Sequence, residues 1–290
     1  MIKITDKSAC CGCSACASIC AHKAITMKPD GMGFLYPEVD ESKCVDCGLC
    51  NQVCAFNSTY DKSQNLASPD VYAVRHKDMD EIETSRSGAV FIALSDWILE
   101  QGGIVYGAGY EGHFSVVHKR AVSKEERNEF KGSKYVQSDL KDTFLQVKKD
   151  LKQGYKVMFS GTPCQTSGLL SYLRTLKQDI SQLYVVDLVC HGVPAPYVWR
   201  DYLGYVEKKY HAKITSANFR DKSQIGWTAH KESFNLGNKY VCTSTYTDLF
   251  YKHIMFRHSC GVCPFTNLKR PSDLTIADFW GWEKVDESIN

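Results

Sequence analysis

A small α+β module followed by a larger α/β domain with a largely parallel sheet is the architecture the sequence predicts. Three observations predict it. Nine cysteines crowd the first 54 residues around one short hairpin pattern, a polar and turn-rich stretch follows, and from residue 71 strand-like and helix-like runs alternate. The 290 residues accommodate one small and one large domain, and 43% hydrophobic with 23% charged residues is the balance of a chain that packs a core.

The cysteines come first. Cys10, Cys13, Cys16 and Cys20 follow the spacing C-x2-C-x2-C-x3-C, and Cys44, Cys47, Cys50 and Cys54 repeat it 34 residues on. Three thiolates at this interval wrap one cubic iron-sulfur cluster, while the fourth, beyond a longer gap, points to the second cube. The ligands therefore cross over: Cys10, Cys13, Cys16 and Cys54 are expected to hold one 4Fe-4S cluster, and Cys44, Cys47, Cys50 and Cys20 the other. Structural zinc is the competing use of C-x2-C pairs, but it leaves half of a doubled eight-cysteine pattern idle. Alanine follows both Cys20 and Cys54, where bacterial ferredoxins usually place a proline that shapes the backbone and ligates nothing. Cys11 is an extra thiol beside Cys10; a slip of one residue would exchange them, and Cys10 fits the spacing.

Between the two motifs, residues 24–39 contain two strand-like runs around Pro29-Asp30-Gly31, a hairpin pattern. The expectation for residues 1–57 is an α+β ferredoxin-like module with two 4Fe-4S clusters, in which the clusters organise a segment too short for a core of its own.

Composition narrows the function. A formal charge of +2 supplies no basic footprint for nucleic acid. Each cluster with its thiolates adds roughly −2, so the loaded protein is net acidic. The most apolar run, Leu183 to Val193, is broken by Asp187 and His191, which argues against a membrane span. Met1 to Ser8 has no apolar core of a secretory signal, and a cytoplasmic location is expected. Fourteen cysteines in a reducing compartment argue for metal rather than disulfides.

Residues 58–70 are polar and turn-rich and read as a linker to a large domain over 71–290. Val71 to Arg75 predicts a strand. Residues 85–99 predict a helix with a Ser-Gly entrance, ended by Gly102-Gly103, and 104–108 a strand. Then follow a helix over 139–152, a strand over 156–160, a helix over 162–176, a strand over 183–189 and a helix over 196–210.

Such sheets bind ligands beyond the carboxyl ends of their strands. Two segments stand there. Ser160 to Gln165 is a tight strand-to-helix turn that serves either a phosphate or ordinary helix initiation. Cys190-His191-Gly192-Val193-Pro194 is the other. Cys164 and Cys190, with the pair Cys260 and Cys263, make a four-thiolate set suited to a third 4Fe-4S cluster; the alternative is two buried thiols and a separate zinc. Cys242 is expected to be structural. His191 adjoins a site, whereas His113, His118 and His230 read as surface or core residues. No Ser/His/Asp set or carboxylate pair suggests hydrolysis, no catalytic side chain is nominated, and no Gly-x-Gly-x-x-Gly fingerprint follows a strand.

Six further motifs occur in order: Ser87-Gly88, Lys131-Gly132-Ser133-Lys134-Tyr135, Gly161-Thr162-Pro163-Cys164-Gln165, Cys190 to Pro194, Ser259 to Pro264 and Ala277-Asp278-Phe279-Trp280-Gly281. Behind a doubled cysteine motif, this order resembles the coenzyme F420 hydrogenase/dehydrogenase beta subunit family over nearly the whole chain. The resemblance implies a flavin-dependent iron-sulfur oxidoreductase. In it, FAD beside a 4Fe-4S cluster exchanges hydride with a deazaflavin or similar small-molecule carrier, and the clusters serve a redox partner protein or subunit. It further implies that Ser87, Gly88, Lys131 to Tyr135, and Gly161, Thr162, Pro163 and Gln165 lie along FAD, with Asp278, Trp280 and Gly281 closing its other side. Two departures stand out. Ala89 occupies a position where the family often has a second glycine, and the chain ends soon after Gly281, so a C-terminal segment is expected to be missing. A subunit that carries only clusters, without flavin or substrate, is the alternative function, and a zinc-stabilised scaffold is the third.

Overall fold

The computed structural model describes residues 1–57, 60–63, 65–66, 68–228, 230–281 and 284. Positions 58, 59, 64 and 67 of the expected linker, and the terminal residues 285–290 on which the expectation of a missing segment turned, lie outside the described residues.

Closely spaced cysteines leave little room for long helices, and the N-terminal segment is built from short ones. Helix α1 (Ala15–Ile19) is followed by strands β1 (Ile25–Pro29) and β2 (Leu35–Val39) and by helix α2 (Leu49–Gln52). The strands pair antiparallel with Ile25 opposite Val39, the hairpin expected around Asp30. Asp30 holds the turn by accepting from the N–H groups of Met32 and Phe34.

The remainder runs α3 (Met79–Thr84), α4 (Val90–Leu99), β3 (Ile104–Glu111), β4 (Ser115–Ala121), α5 (Lys124–Asn128), α6 (Thr143–Lys152), β5 (Val157–Gly161), α7 (Pro163–Thr175), β6 (Leu183–Leu188) and α8 (Pro196–Tyr210). After these come β7 (Ser216–Phe219), α9 (Lys222–Ile225), β8 (Glu232–Leu236), β9 (Lys239–Thr243), α10 (Thr245–Tyr251) and β10 (Leu274–Ile276). Among the described residues, a five-stranded sheet has the order β10-β6-β5-β3-β4; every pair is parallel except β3 with β4. The largely parallel sheet expected from the alternation is present. Gly161 lies opposite Asp187, so β5 and β6 end side by side and the turns after them share one edge.

Apolar residues divide into three cores. One combines Cys13, Cys16, Ile19 and Val53 of the N-terminal segment with Phe144, Phe159, Leu169 and Tyr172 of the sheet and its helices. The expected small module therefore shares its core with the sheet, and α1 rests on α7. A second core gathers around Trp199 of α8 and the antiparallel sheet β7-β8-β9. The third lies on the opposite face of the large sheet, with Ile98, Val105 and Met158.

Three expectations need correction. Val71 to Arg75 forms no strand: Val71, Tyr72 and Val74 are exposed, and the neighbouring His76 N–H donates to the Gly88 carbonyl at 2.7 Å instead of to a sheet edge. Helix α4 starts at Val90 rather than residue 85, because Ser87 and Ala89 adopt left-handed backbone that a helix cannot include. Likewise α6 starts at Thr143 rather than 139, since Asp139 exchanges backbone hydrogen bonds with β4 at Val116 and His118. No helix among the described residues is long and apolar enough to cross a membrane.

Candidate metal centres and a candidate cofactor cleft

Backbone N–H groups, one from the turn after the cysteine and two from distant segments, are aimed at sulfur, the environment that thiolate ligands need when water is excluded. Ile2 N–H donates to Cys50 Sγ at 3.2 Å, Ala24 N–H to Cys20 Sγ at 3.4 Å, and Val193 N–H to Cys260 Sγ at 3.4 Å.

Cys20, Cys44, Cys47 and Cys50 line one small cavity, walled by Ile19, Ile25, Val39 and Leu49. The four sulfurs come from both halves of the duplication. Cys10, Cys13, Cys16 and Cys54 form a second, more deeply placed set. Burial pushes the Cys16 thiol far up, and the charges of Cys13, Cys10 and Cys54 add to the shift. Burial likewise raises Cys54 to about 11, with Cys13 and Cys10 as its charged neighbours.

Cys164 at the start of α7 and Cys190 beyond β6 meet Cys260 and Cys263 from the loop after α10. Burial raises Cys190 to about 12, and the charges of Cys164, Cys260 and Cys263 contribute. Cys260 is raised to about 11 by burial, again with Cys164 and Cys263 close by. Removing such thiol protons in dry surroundings requires positive charge, which iron supplies. Among the described residues no three Cys, His, Asp or Glu side chains converge on one metal-ion position. A cubane needs no such convergence, because each thiolate binds a different corner.

Cys11, the extra thiol beside Cys10, is buried and bridges two sets: its side chain hydrogen-bonds to Cys13 and Cys164. Cys164 is held down at about 7, chiefly by that bond, and the Thr162 hydroxyl contacts its sulfur at 3.2 Å. Cys242 lies exposed on β9, apart from all three sets.

A cleft opens elsewhere on the chain. Lys131, Gly132, Ser133 and Lys134 line it, joined by Arg86, Lys222 and Asn218. Lys131 pairs with Glu81 at 2.5 Å. Lys134 donates to the Glu129 and Lys131 carbonyls, and desolvation lowers it to about 7. Arg86 is lowered to about 10 by burial, and its Nε is buried with no hydrogen-bond partner among the described residues.

Tyr135 turns away from the cleft to stack on Phe250 at 4.5 Å. Ser87 approaches through its carbonyl, which accepts from Lys222 Nζ, and Gly88 accepts from His76. Gly161, Thr162, Pro163 and Gln165 stand apart, at the turn into α7. There Gln165 Oε1 accepts from the Thr162 N–H, so part of this helix entrance is satisfied internally. Asp278 binds Arg220 at 2.7 Å, Trp280 stacks on Trp227 at 4.5 Å, and Gly281 follows with a positive φ. Arg86, Arg220, Lys222 and Trp227 escaped the sequence reasoning. Only Arg86 had a signal, its place inside the Ser85-Arg86-Ser87-Gly88 motif.

A path of rings leads from the third cysteine set toward the cleft. His191, next to Cys190, packs at 5.1 Å on Phe250, which stacks on Tyr135 beside Lys134.

Residues 9–58 match the 4Fe-4S dicluster domain family, and residues 154–289 match the family described as the C terminus of the coenzyme F420 hydrogenase/dehydrogenase beta subunit. No curated protein matches the chain. Among solved structures, it is similar to a chain of the F420-reducing NiFe hydrogenase complex from Methanosarcina barkeri, determined with xenon derivatization. The identity is 18% and the TM-score 0.47; the match covers 67% of this chain and 66% of that one, just under two thirds of its length.

Proposed function

We propose that this chain, which carries the C-terminal domain of the coenzyme F420 hydrogenase/dehydrogenase beta subunit family behind a 4Fe-4S dicluster domain, is an electron-transferring oxidoreductase subunit. In it, three 4Fe-4S clusters connect a flavin in the cleft lined by Arg86, Lys131, Lys134 and Lys222 to a redox partner protein. The observation that carries this reading is the continuity of the three cysteine sets. The first two exchange Cys20 and Cys54 across the duplication, and Cys11 touches a member of the deep set and a member of the third.

Each part of the chain has a defined task. Residues 1–57 form the ferredoxin-like module, 58–70 the linker, and 71–290 the flavin and third-cluster domain. Arg86, Lys131, Lys134 and Lys222 are suited to the diphosphate of FAD by charge-assisted hydrogen bonds, with Lys131 also paired to Glu81, Lys134 charged only below about pH 7, and Glu83, Glu129 and Asp221 sharing the lining. A bound flavin supplies the conversion between two-electron hydride transfer and one-electron steps. The rings of Tyr135, Phe250 and His191 form a packed aromatic connection between cleft and cysteines, with Phe250 buried and His191 open to solvent. At the far end, the cavity of Cys20, Cys44, Cys47 and Cys50 has exposed Cys47, Val45 and Leu49 at its rim, a surface where a partner protein reaches within electron-transfer distance. Fourteen thiols suit a reducing compartment, the cytoplasm.

The test is composition under anaerobic purification: iron, sulfide, zinc and released flavin per chain. About twelve irons and one FAD support the flavin-dependent reading, and reduced deazaflavin is then the donor to try. About eight irons and no flavin after reconstitution overturn it in favour of a two-cluster electron carrier.

A further inference from the structure

Arg257 is 1% exposed, yet no carboxylate among the described residues pairs with it. Its backbone belongs to the loop of the third cysteine set: Arg257 N–H donates to the Val193 carbonyl at 3.0 Å, and its own carbonyl accepts from Cys260 N–H at 2.9 Å. Its side chain belongs to the other module. Nε donates to the Cys10 carbonyl at 2.7 Å, Nη2 to the Leu35 carbonyl at 2.8 Å and toward Cys10 Sγ at 3.6 Å, and Nη1 to Gln137 Oε1 at 2.9 Å. The guanidinium lies over Tyr36 at 4.2 Å and Phe34 at 5.4 Å.

The loop is shaped to admit it. Gly12 has φ +71, and a side-chain carbon there would stand 2.8 Å from Arg257 Nη1 and 2.9 Å from the Leu35 carbonyl. A buried cation needs more than neutral acceptors around it. Clusters held by the cysteine sets proposed above, with their thiolates, would supply negative charge on either side of it. The Arg257 charge acts on Cys10 and Cys13 of one set and on Cys164 and Cys260 of the other, favouring their ionised forms.

We propose that Arg257 is a shared buried counter-cation between the Cys10/Cys13/Cys16/Cys54 cluster and the Cys164/Cys190/Cys260/Cys263 cluster, and that it raises the reduction potential of both. This rests on the cluster assignment above. One electron passes from one cluster to the next, no bond forms or breaks, and Arg257 keeps its proton throughout. Its positive charge makes each reduced, more negative cluster easier to form, and it acts most strongly on the cluster whose thiolate it touches. The Cys20/Cys44/Cys47/Cys50 cluster, outside its contacts, is the internal reference.

The test uses the whole chain loaded anaerobically as wild type, Arg257→Gln and Arg257→Lys, with iron counted first and each potential followed by electron paramagnetic resonance. In Arg257→Gln, the reduction equilibrium of the cluster at Cys10 falls about tenfold, ~59 mV for a one-electron couple, while that of the reference cluster stays. Arg257→Lys keeps most of the wild-type value. Full iron with unchanged potentials in Arg257→Gln overturns the proposal, as does an equal shift in the lysine variant, which would assign the effect to the hydrogen-bond fork. If neither variant loads iron, Gln137→Glu decides, because it sets a carboxylate against the intact guanidinium. A lowered potential there supports the proposal and an unchanged one overturns it. Wild-type protein that binds no iron sinks the cluster assignment itself.

Discussion

Gly168, in the middle of α7, lies so close to Cys13 that a side-chain carbon at Gly168 would stand 2.7 Å from Cys13 Sγ. Helix α7 can support the deep cysteine set because this position has no side chain. Gly168→Ala should therefore displace the sulfur and impair assembly of that cluster, with about four irons lost per chain. Gly204→Ala in α8, with nothing within 4 Å, is the control and should be neutral or stabilise by up to ~1 kcal/mol. Equal iron in both variants would show that the Cys13 contact is irrelevant to assembly.

Crossed ligation makes a second prediction. Cys54→Ser should abolish the same spectroscopic signal as Cys16→Ser, and Cys20→Ser the same signal as Cys47→Ser, each at a cost of about four irons. Grouping by sequence run instead, Cys20 with Cys16 and Cys54 with Cys50, would refute the crossover. Cys242→Ser should leave every signal in place.

Lys134 sets the pH dependence of the cleft. Desolvation lowers its pKa to about 7, Lys119 adds to this and Glu129 opposes it. The side chain is charged below that pH and neutral above, so binding of an anionic ligand should be strongest near about pH 6 and weaken as the pH rises to about 8. Loss of one charged contact is worth about fivefold in affinity. Calorimetry with ADP-ribose, a diphosphate diester whose charge is constant over this range, reads the change, and Lys134→Met should flatten it. Affinity that rises with pH would remove Lys134 from the binding set.

Glu232 tests the second core. Its carboxylate is fully buried and accepts from Tyr202 Oη at 2.7 Å, from the N–H groups of Tyr246 and Thr247 at 2.8 and 3.1 Å, and from the Thr247 hydroxyl. Glu232→Leu strands these donors and should destabilise the chain by about 3–5 kcal/mol in anaerobic urea unfolding. Iron content of the folded fraction should not change. A loss under ~1 kcal/mol would mean that the network is not held together by the carboxylate.

Sequence periodicity revealed the elements whose burial is local. The helix over Pro196–Tyr210 was legible to the residue because Pro196 opens it and Trp199, Tyr202, Leu203 and Val206 recur on one face. Strands β5 and β6 were legible as short apolar runs. Not legible were β4 and the β7-β8-β9 sheet: Ser216–Phe219 carries polar residues on its exposed face and is defined only by pairing with β8. Val71–Arg75 has the opposite character, a strand pattern without an edge to join. At the sites, cysteine spacing is a local signal, so the sets could be nominated. The roles of Cys11, Gln137 and Arg257 depend on contacts across 120 to 247 positions of chain, which spacing does not encode.

With the cluster proposed above at Cys13 and Cys16, the core these residues share with Phe159, Leu169 and Tyr172 would make iron a folding ingredient for more than the first 57 residues. An empty cluster site here leaves desolvated thiols inside the packing that also holds α7 and the central strands, so the unloaded chain is exposed to proteolysis as a whole. Scarcity of iron or sulfide in the cell would then reduce the amount of this protein, rather than leave a standing pool of intact but inactive molecules awaiting repair.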